Sequence, residues 1–64
     1  MDNKVYSKRF KDGTTTFPTR AFIENGWVII NQSEVVHTSV TTSYHNSIQI
    51  PLTDFRKMCE ELLK

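Results

Sequence analysis

Residues 20–31 of the chain read RAFIENGWVIIN, and this stretch decides the fold. Asn25-Gly26 at its centre favours a two-residue type I′ turn, because both central residues of that turn need a positive φ. The branched and aromatic residues on either side favour β-strands. The stretch therefore predicts a β-hairpin in which Glu24 pairs with Trp27, and each residue further from the turn pairs in step.

Further strands are predicted on both sides of this hairpin. Asp12-Gly13 is a second hairpin dipeptide, and a two-residue turn there would pair Phe10 with Thr15. Pro18 has no N–H to donate and predicts a bulge that shifts this first hairpin by one residue. The predicted strands are residues 5–10, 15–24 and 27–32, then 35–42 and 47–50, with a loop at 44–46.

The C-terminal residues predict an amphipathic helix. Pro51 is expected to end the sheet and Thr53 to cap the helix, with Asp54 in the first turn, where the helix dipole favours an anion. Apolar residues recur at the spacing of one helical face: Leu52, Phe55, Met58, Cys59, Leu62 and Leu63. A helix of about three turns is not stable alone in water, so it must dock on the sheet.

The predicted fold class is therefore α+β in one domain over residues 1–64. A small antiparallel sheet of four to five strands, either a meander or a partly closed barrel, is packed by one C-terminal amphipathic helix. A chain of this length buries only about 60% of its unfolded surface, and its single cysteine allows no intramolecular disulfide. Self-association is accordingly one expected source of stability.

Side chains alternate along a strand, so the two hairpins sort the residues into two faces. One face, here called the helix face, is mostly apolar and is the natural seat of the helix; it collects Tyr6, Lys8, Phe10, Phe17, Ala21, Ile23, Val28 and Ile30. The other face, here called the open face, collects Val5, Arg9, Pro18, Arg20, Phe22, Glu24, Trp27 and Ile29.

The open face is the candidate binding surface. A solvated sheet face is expected to be polar, yet this one combines large apolar side chains with arginines. Trp and Arg are enriched at binding hot spots. The predicted binding residues are Arg9, Arg20, Phe22, Trp27 and Ile29. The alternative is that the last strands close a small barrel, in which case Phe22 and Ile29 belong to its core.

Charge is unevenly placed along the chain. Eight basic and seven acidic residues give a net charge of +1, far from the strongly basic balance of a typical nucleic-acid-binding protein. The N-terminal third is nevertheless basic, and Lys4, Lys8 and Lys11 form a predicted basic patch beside Arg9 and Arg20. Basic residues interleaved with aromatic residues are typical of surfaces that stack nucleobases and bind the phosphates between them.

No motif for catalysis, for a cofactor or for a metal ion is present. His37, His45 and Cys59 match no zinc spacing, and both histidines fall in polar sequence typical of a surface. Cys59 shares the apolar helix face with Phe55, which favours a structural thiol over a nucleophile. Gly13 and Gly26 are the only glycines and both serve turns, so no phosphate loop exists. The chain is thus expected not to be an enzyme.

These observations rank three functions. The leading expectation is a small binding protein that acts by protein–protein contact, such as a phage or mobile-element inhibitor or modulator of a larger host protein. The second is a single-stranded nucleic-acid-binding module, and the third is a structural subunit that forms a homodimer. No signal peptide or membrane span is recognised and there is one thiol, so a cytoplasmic location is expected.

The second expectation has support from layout. Antiparallel strands are followed by one C-terminal helix, which residues 47–52, SIQIPL, introduce. This order of elements resembles that of the PC4-like single-stranded DNA-binding domains. The resemblance implies a nucleic-acid-binding sheet closed by a helix.

Overall fold

The computed structural model describes residues 4–64. Four strands precede one helix: β1 (Val5–Asp12), β2 (Thr15–Glu24), β3 (Trp27–Val36), β4 (Thr42–Pro51) and α1 (Leu52–Leu62). Neighbouring strands are antiparallel, in the order β1-β2-β3-β4. The α+β class is confirmed, and of the two predicted forms of the sheet the described strands adopt the open meander, with β1 and β4 as its edges.

The central hairpin has the predicted turn and register. Asn25 and Gly26 have φ values of 51° and 78°, as a type I′ turn requires. Glu24 pairs with Trp27, and the same register continues along β2 and β3. This agreement follows because turn chemistry and strand propensity favour the same local structure.

The first hairpin differs from its predicted register. Phe10 pairs with Phe17 rather than with Thr15, and Asp12 pairs with Thr15, so the turn residues are Gly13 and Thr14. Because the shift is two residues, every side chain stays on its predicted face.

Pro18 does not introduce the predicted bulge. It pairs with Arg9 on β1, and β2 keeps one register with β3 on both sides of the proline. Only the pairing of residues 17 and 18 with β3 is interrupted. The missing N–H therefore removes local pairing without changing strand alignment.

The predicted loop at residues 44–46 is wrong. Tyr44, His45 and Asn46 lie within β4 and pair with β3, and the connection is instead residues 37–41. The polar composition of this segment reflects its place on an edge strand, where every residue from 42 to 49 is exposed. Exposed edge strands tolerate polar residues that a sequence pattern assigns to loops.

Helix α1 follows β4 without a loop. It begins at Leu52, with Pro51 as the capping residue and no side-chain cap, so the predicted Thr53 cap is wrong. The Leu52 N–H donates to the carbonyl oxygen of Gly26 at 2.9 Å, which supplies an acceptor for one N–H of the first turn. The helix packs chiefly on β3 and β4.

The helix face and the open face extend across all four strands. On the helix face, Ile48 and Ile50 of β4 lie opposite Ile30 and Val28. Phe55 of α1 borders the same groove as Tyr6 and Val28, so the helix docks on the predicted face. The core is small: among the described residues only Val28, 4% exposed, is a buried apolar side chain.

Candidate functional site

The open face carries all five predicted binding residues. Register and alternation place Arg9, Arg20, Phe22, Trp27 and Ile29 on the side of the sheet away from α1. The predicted basic patch is divided, because Lys11 shares this face, whereas Lys8 alternates onto the helix face and Lys4 borders the groove there. Lys8 lies over the Phe10 ring there, with its Nζ 5.6 Å from the ring centre.

One part of the open face is basic. Arg9 and Lys11 on β1 and Arg20 on β2 are all exposed. Within residues 4–64 the one salt bridge joins Lys64 to Glu61, so no described carboxylate pairs with these three cations. Their charge is therefore available to an external anion.

The excess positive charge of the described residues belongs to this face. On the helix face, two cations are balanced by two carboxylates: Lys4, Lys8, Asp12 and Glu34. In the helix and the two residues after it, three cations are balanced by three carboxylates: Arg56, Lys57, Lys64, Asp54, Glu60 and Glu61. The open face has three cations against one carboxylate: Arg9, Lys11, Arg20 and Glu24. A low net charge thus conceals a locally cationic surface.

A second part of the open face is aromatic and apolar. Trp27, at the start of β3, is 45% exposed. Phe22 lies diagonally opposite Trp27 and directly opposite Ile29. Phe22 and Ile29 are both half-buried. No described strand or helix packs over them, so the face presents an indole ring beside apolar side chains rather than a barrel core.

The third part of the open face is polar, and the sequence-based reasoning missed it. Ser47 Oγ donates to Asn31 Oδ1 at 2.7 Å, and Ser33 Oγ lies 2.8 Å from His45 Nδ1. Both contacts join β3 to β4. The signal was present in the alternation of Ser43, His45, Ser47 and Gln49, which marks one polar side of a strand.

The remaining chemistry-bearing side chains do not assemble. In the part of the chain that the structure describes, no three His, Cys, Asp or Glu side chains cluster closely enough to hold a metal ion. Cys59 is half-buried on α1. Helix α1 is also too short and too polar to cross a membrane, and it is the one helix among these residues.

Family models, curated proteins and solved structures give no match to this chain. Its function is therefore inferred from the arrangement of its own side chains.

Proposed function

We propose that this protein is a non-enzymatic binding module that holds single-stranded nucleic acid on its open face. The observation that carries the proposal is the presence of three exposed cations, without a described carboxylate partner, on the same face as the half-exposed Trp27. Phosphates bind such cations, and nucleobases stack on such rings. Nucleic-acid binding therefore becomes the first candidate, and protein–protein contact, the leading expectation from sequence, becomes the second.

The key side chains form a continuous track across the sheet. Arg9 lies opposite Pro18, and is therefore a diagonal neighbour of Arg20 on β2. Phe22 is the next residue on the same side of β2, about 7 Å further along. Trp27 follows diagonally on β3. The track thus leads obliquely from two guanidinium groups to two aromatic rings, an arrangement that suits one extended polynucleotide strand.

The polar side of the open face adds hydrogen-bonding groups beside this track. Asn31 lies directly opposite Arg20, and its Oδ1 accepts a hydrogen bond from the Ser47 hydroxyl. The amide nitrogen of such a side chain can donate to a base or a phosphate. These groups support recognition of a base edge, while the cations supply binding that is independent of base sequence.

Protein–protein contact through the same face is the second candidate. Val5, Phe22, Ile29 and Trp27 form an apolar area that also suits the anchor of a protein interface. A larger host protein is the partner of that alternative. The two candidate functions predict different salt dependence of the binding affinity, because phosphate contacts weaken steeply with salt whereas apolar contacts change little.

Charge neutralisation on the open face tests the first candidate. The double variant Arg9→Gln with Arg20→Gln is expected to bind a fluorescent oligothymidylate at least about 10-fold more weakly at low salt. The slope of log affinity against log salt should become shallower by roughly 1.4, since two phosphate contacts on a single strand are lost. Fluorescence anisotropy over a series of salt concentrations measures both quantities.

The matched control is Arg56→Gln with Lys57→Gln, which removes the same charge from the exposed side of α1. This control should keep the wild-type affinity to within about 2-fold and leave the salt slope unchanged, because its cations lie away from the track. Equal losses in the two double variants would show that net charge alone attracts the strand. That outcome would overturn the assignment of binding to the open face.

A further inference from the structure

The chain exposes more surface than a compact monomer of its size. Its accessible area is 5535 Å², whereas a folded monomer of 7.5 kDa exposes about 4,200 Å². Its radius of gyration is 14.2 Å, against about 11 Å for a compact domain of this length. The excess area, roughly 1,300 Å², reflects a single sheet that one short helix covers only in part.

Much of the uncovered apolar surface lies on the helix face, beside α1. All eight residues of β1 are exposed, and Tyr6 and Ile23 are 59% and 54% exposed. Between β1 and the helix lies an open groove of about 430 Å³, bordered by Tyr6, Ile23, Val28 and Phe55, with Lys4 at its rim. The helix leaves this groove empty because it packs chiefly on the opposite half of the sheet, β3 and β4.

The second half of α1 provides a ridge that matches such a groove. Met58 and Leu62 follow Phe55 on the same helical face at three- and four-residue spacing. Leu62 is 75% exposed and Leu63 is 84% exposed. An amphipathic helix normally turns such residues toward a protein surface.

We propose that the occupant of this groove is a second copy of the chain. In a two-fold dimer the Met58/Leu62 ridge of one copy lies in the groove of the other, and the reverse contact forms at the same time. Obligate homodimers bury roughly 1,000–2,500 Å² per copy, and the excess area of the chain falls within that range. The contact uses the helix face, so it is independent of the proposed binding on the open face.

Charge complementarity favours the same arrangement. The last turn of α1 has no basic residue, and it contains Glu60 and Glu61. The negative end of a helix dipole favours a nearby cation. When the ridge of one copy enters the groove of the other, Lys4 at the rim of that groove approaches the helix end and adds a second cation to Lys64, which already pairs with Glu61.

The mass of the protein in solution tests the dimer. Sedimentation equilibrium of the full chain at micromolar concentration should give twice the mass of a single chain. The melting temperature should rise with protein concentration, because dissociation accompanies unfolding. A single-chain mass at every concentration would overturn the proposal.

A double variant tests which surfaces meet. Met58→Gln with Leu62→Gln should raise the dimer dissociation constant at least about 30-fold, as the loss of an interface anchor does. The matched control is Thr53→Gln with Lys57→Gln, which also introduces two glutamines four residues apart, on the exposed side of α1 and away from its last turn. The control should remain dimeric. A ridge variant that dimerises as tightly as wild type would place the interface elsewhere, for example on the strand edges.

A measurement on the wild-type chain covers the case in which the ridge variant fails to fold. In a mixture of differently labelled copies, filtered NMR spectra should show intermolecular contacts between the Leu62 methyl groups and the Tyr6 ring. A dimer in which these contacts are absent contradicts the ridge-in-groove arrangement. Arg9→Gln with Arg20→Gln should remain dimeric, so failure of the dimer and failure of nucleic-acid binding are distinguishable.

Discussion

A chain that ends at Ile50 is expected to lose cooperative unfolding altogether. Without α1, the helix face has no covering layer, and its most deeply buried apolar residue, Val28, is exposed to water. A sheet with a solvated apolar face has too little buried area to offset the conformational entropy of folding. Circular dichroism during heating should show a gradual change in place of a sigmoidal transition.

A single substitution gives the quantitative form of the same expectation. Phe55→Ala should lower the free energy of unfolding by about 2 kcal/mol, because a half-buried ring that borders the groove beside Tyr6 is lost. Lys57→Ala, on the exposed side of α1, should change it by less than about 0.5 kcal/mol. A shortened chain that still melts cooperatively would contradict the role assigned to the helix.

Trp27→Ala is expected to separate binding from folding. The indole is 45% exposed and lies on the face away from α1, so its loss should cost about 1 kcal/mol of folding free energy. Binding to a single-stranded oligonucleotide should weaken by about 1–3 kcal/mol, because a stacking platform is removed. Calorimetric melting of the variant, followed by an anisotropy titration, measures the two effects.

The alternative placement of Trp27 makes the opposite forecast. If the ring were core, its removal would cost about 3–5 kcal/mol of stability, as emptying a large aromatic site does. Ile29→Ala provides a comparison on the same strand and face, with a half-buried side chain that offers no aromatic ring. It should leave oligonucleotide affinity nearer to wild type than Trp27→Ala does. Equal losses of affinity in both variants would remove stacking from the account.

The hairpin over residues 20–31 was predictable because its local signals agree. Asn25-Gly26 selects one turn, the turn defines one register, and the register assigns every side chain to a face. The faces of the first hairpin were also predicted correctly, although its pairing differs by two residues, since an even shift leaves the faces unchanged. Composition alone cannot distinguish Asp12-Gly13 from Gly13-Thr14 as the central pair of a turn.

The second half of the chain was less predictable for a physical reason. β4 is an edge strand whose exposed residues need not be apolar, so His45 and Asn46 gave the pattern of a loop. Their partners on β3 are distant in sequence, and pairing between them is a tertiary property. The polar part of the open face was missed for the same reason, whereas Arg20, Phe22 and Trp27 were placed correctly because they flank the decisive turn.

The groove beside α1 was not foreseeable from periodicity. The apolar spacing of Phe55, Met58 and Leu62 predicts that this side of the helix meets an apolar surface. It does not distinguish the chain's own sheet from the surface of another chain. In the structure the beginning of the helix meets its own sheet, and Leu62 extends beyond it. Which helix residues meet the sheet depends on the direction in which the chain leaves β4, and the apolar spacing does not determine that direction.

The fluorescence of Trp27 tests the central claim most directly, because the chain has one tryptophan and it lies on the open face. A single-stranded oligothymidylate titrated into the protein at low salt should quench the emission in a saturable manner, since stacked bases quench indole. Added salt should reverse the quenching, as the release of phosphate contacts requires. Emission that stays unchanged throughout a titration at low salt would contradict binding of nucleic acid on the open face.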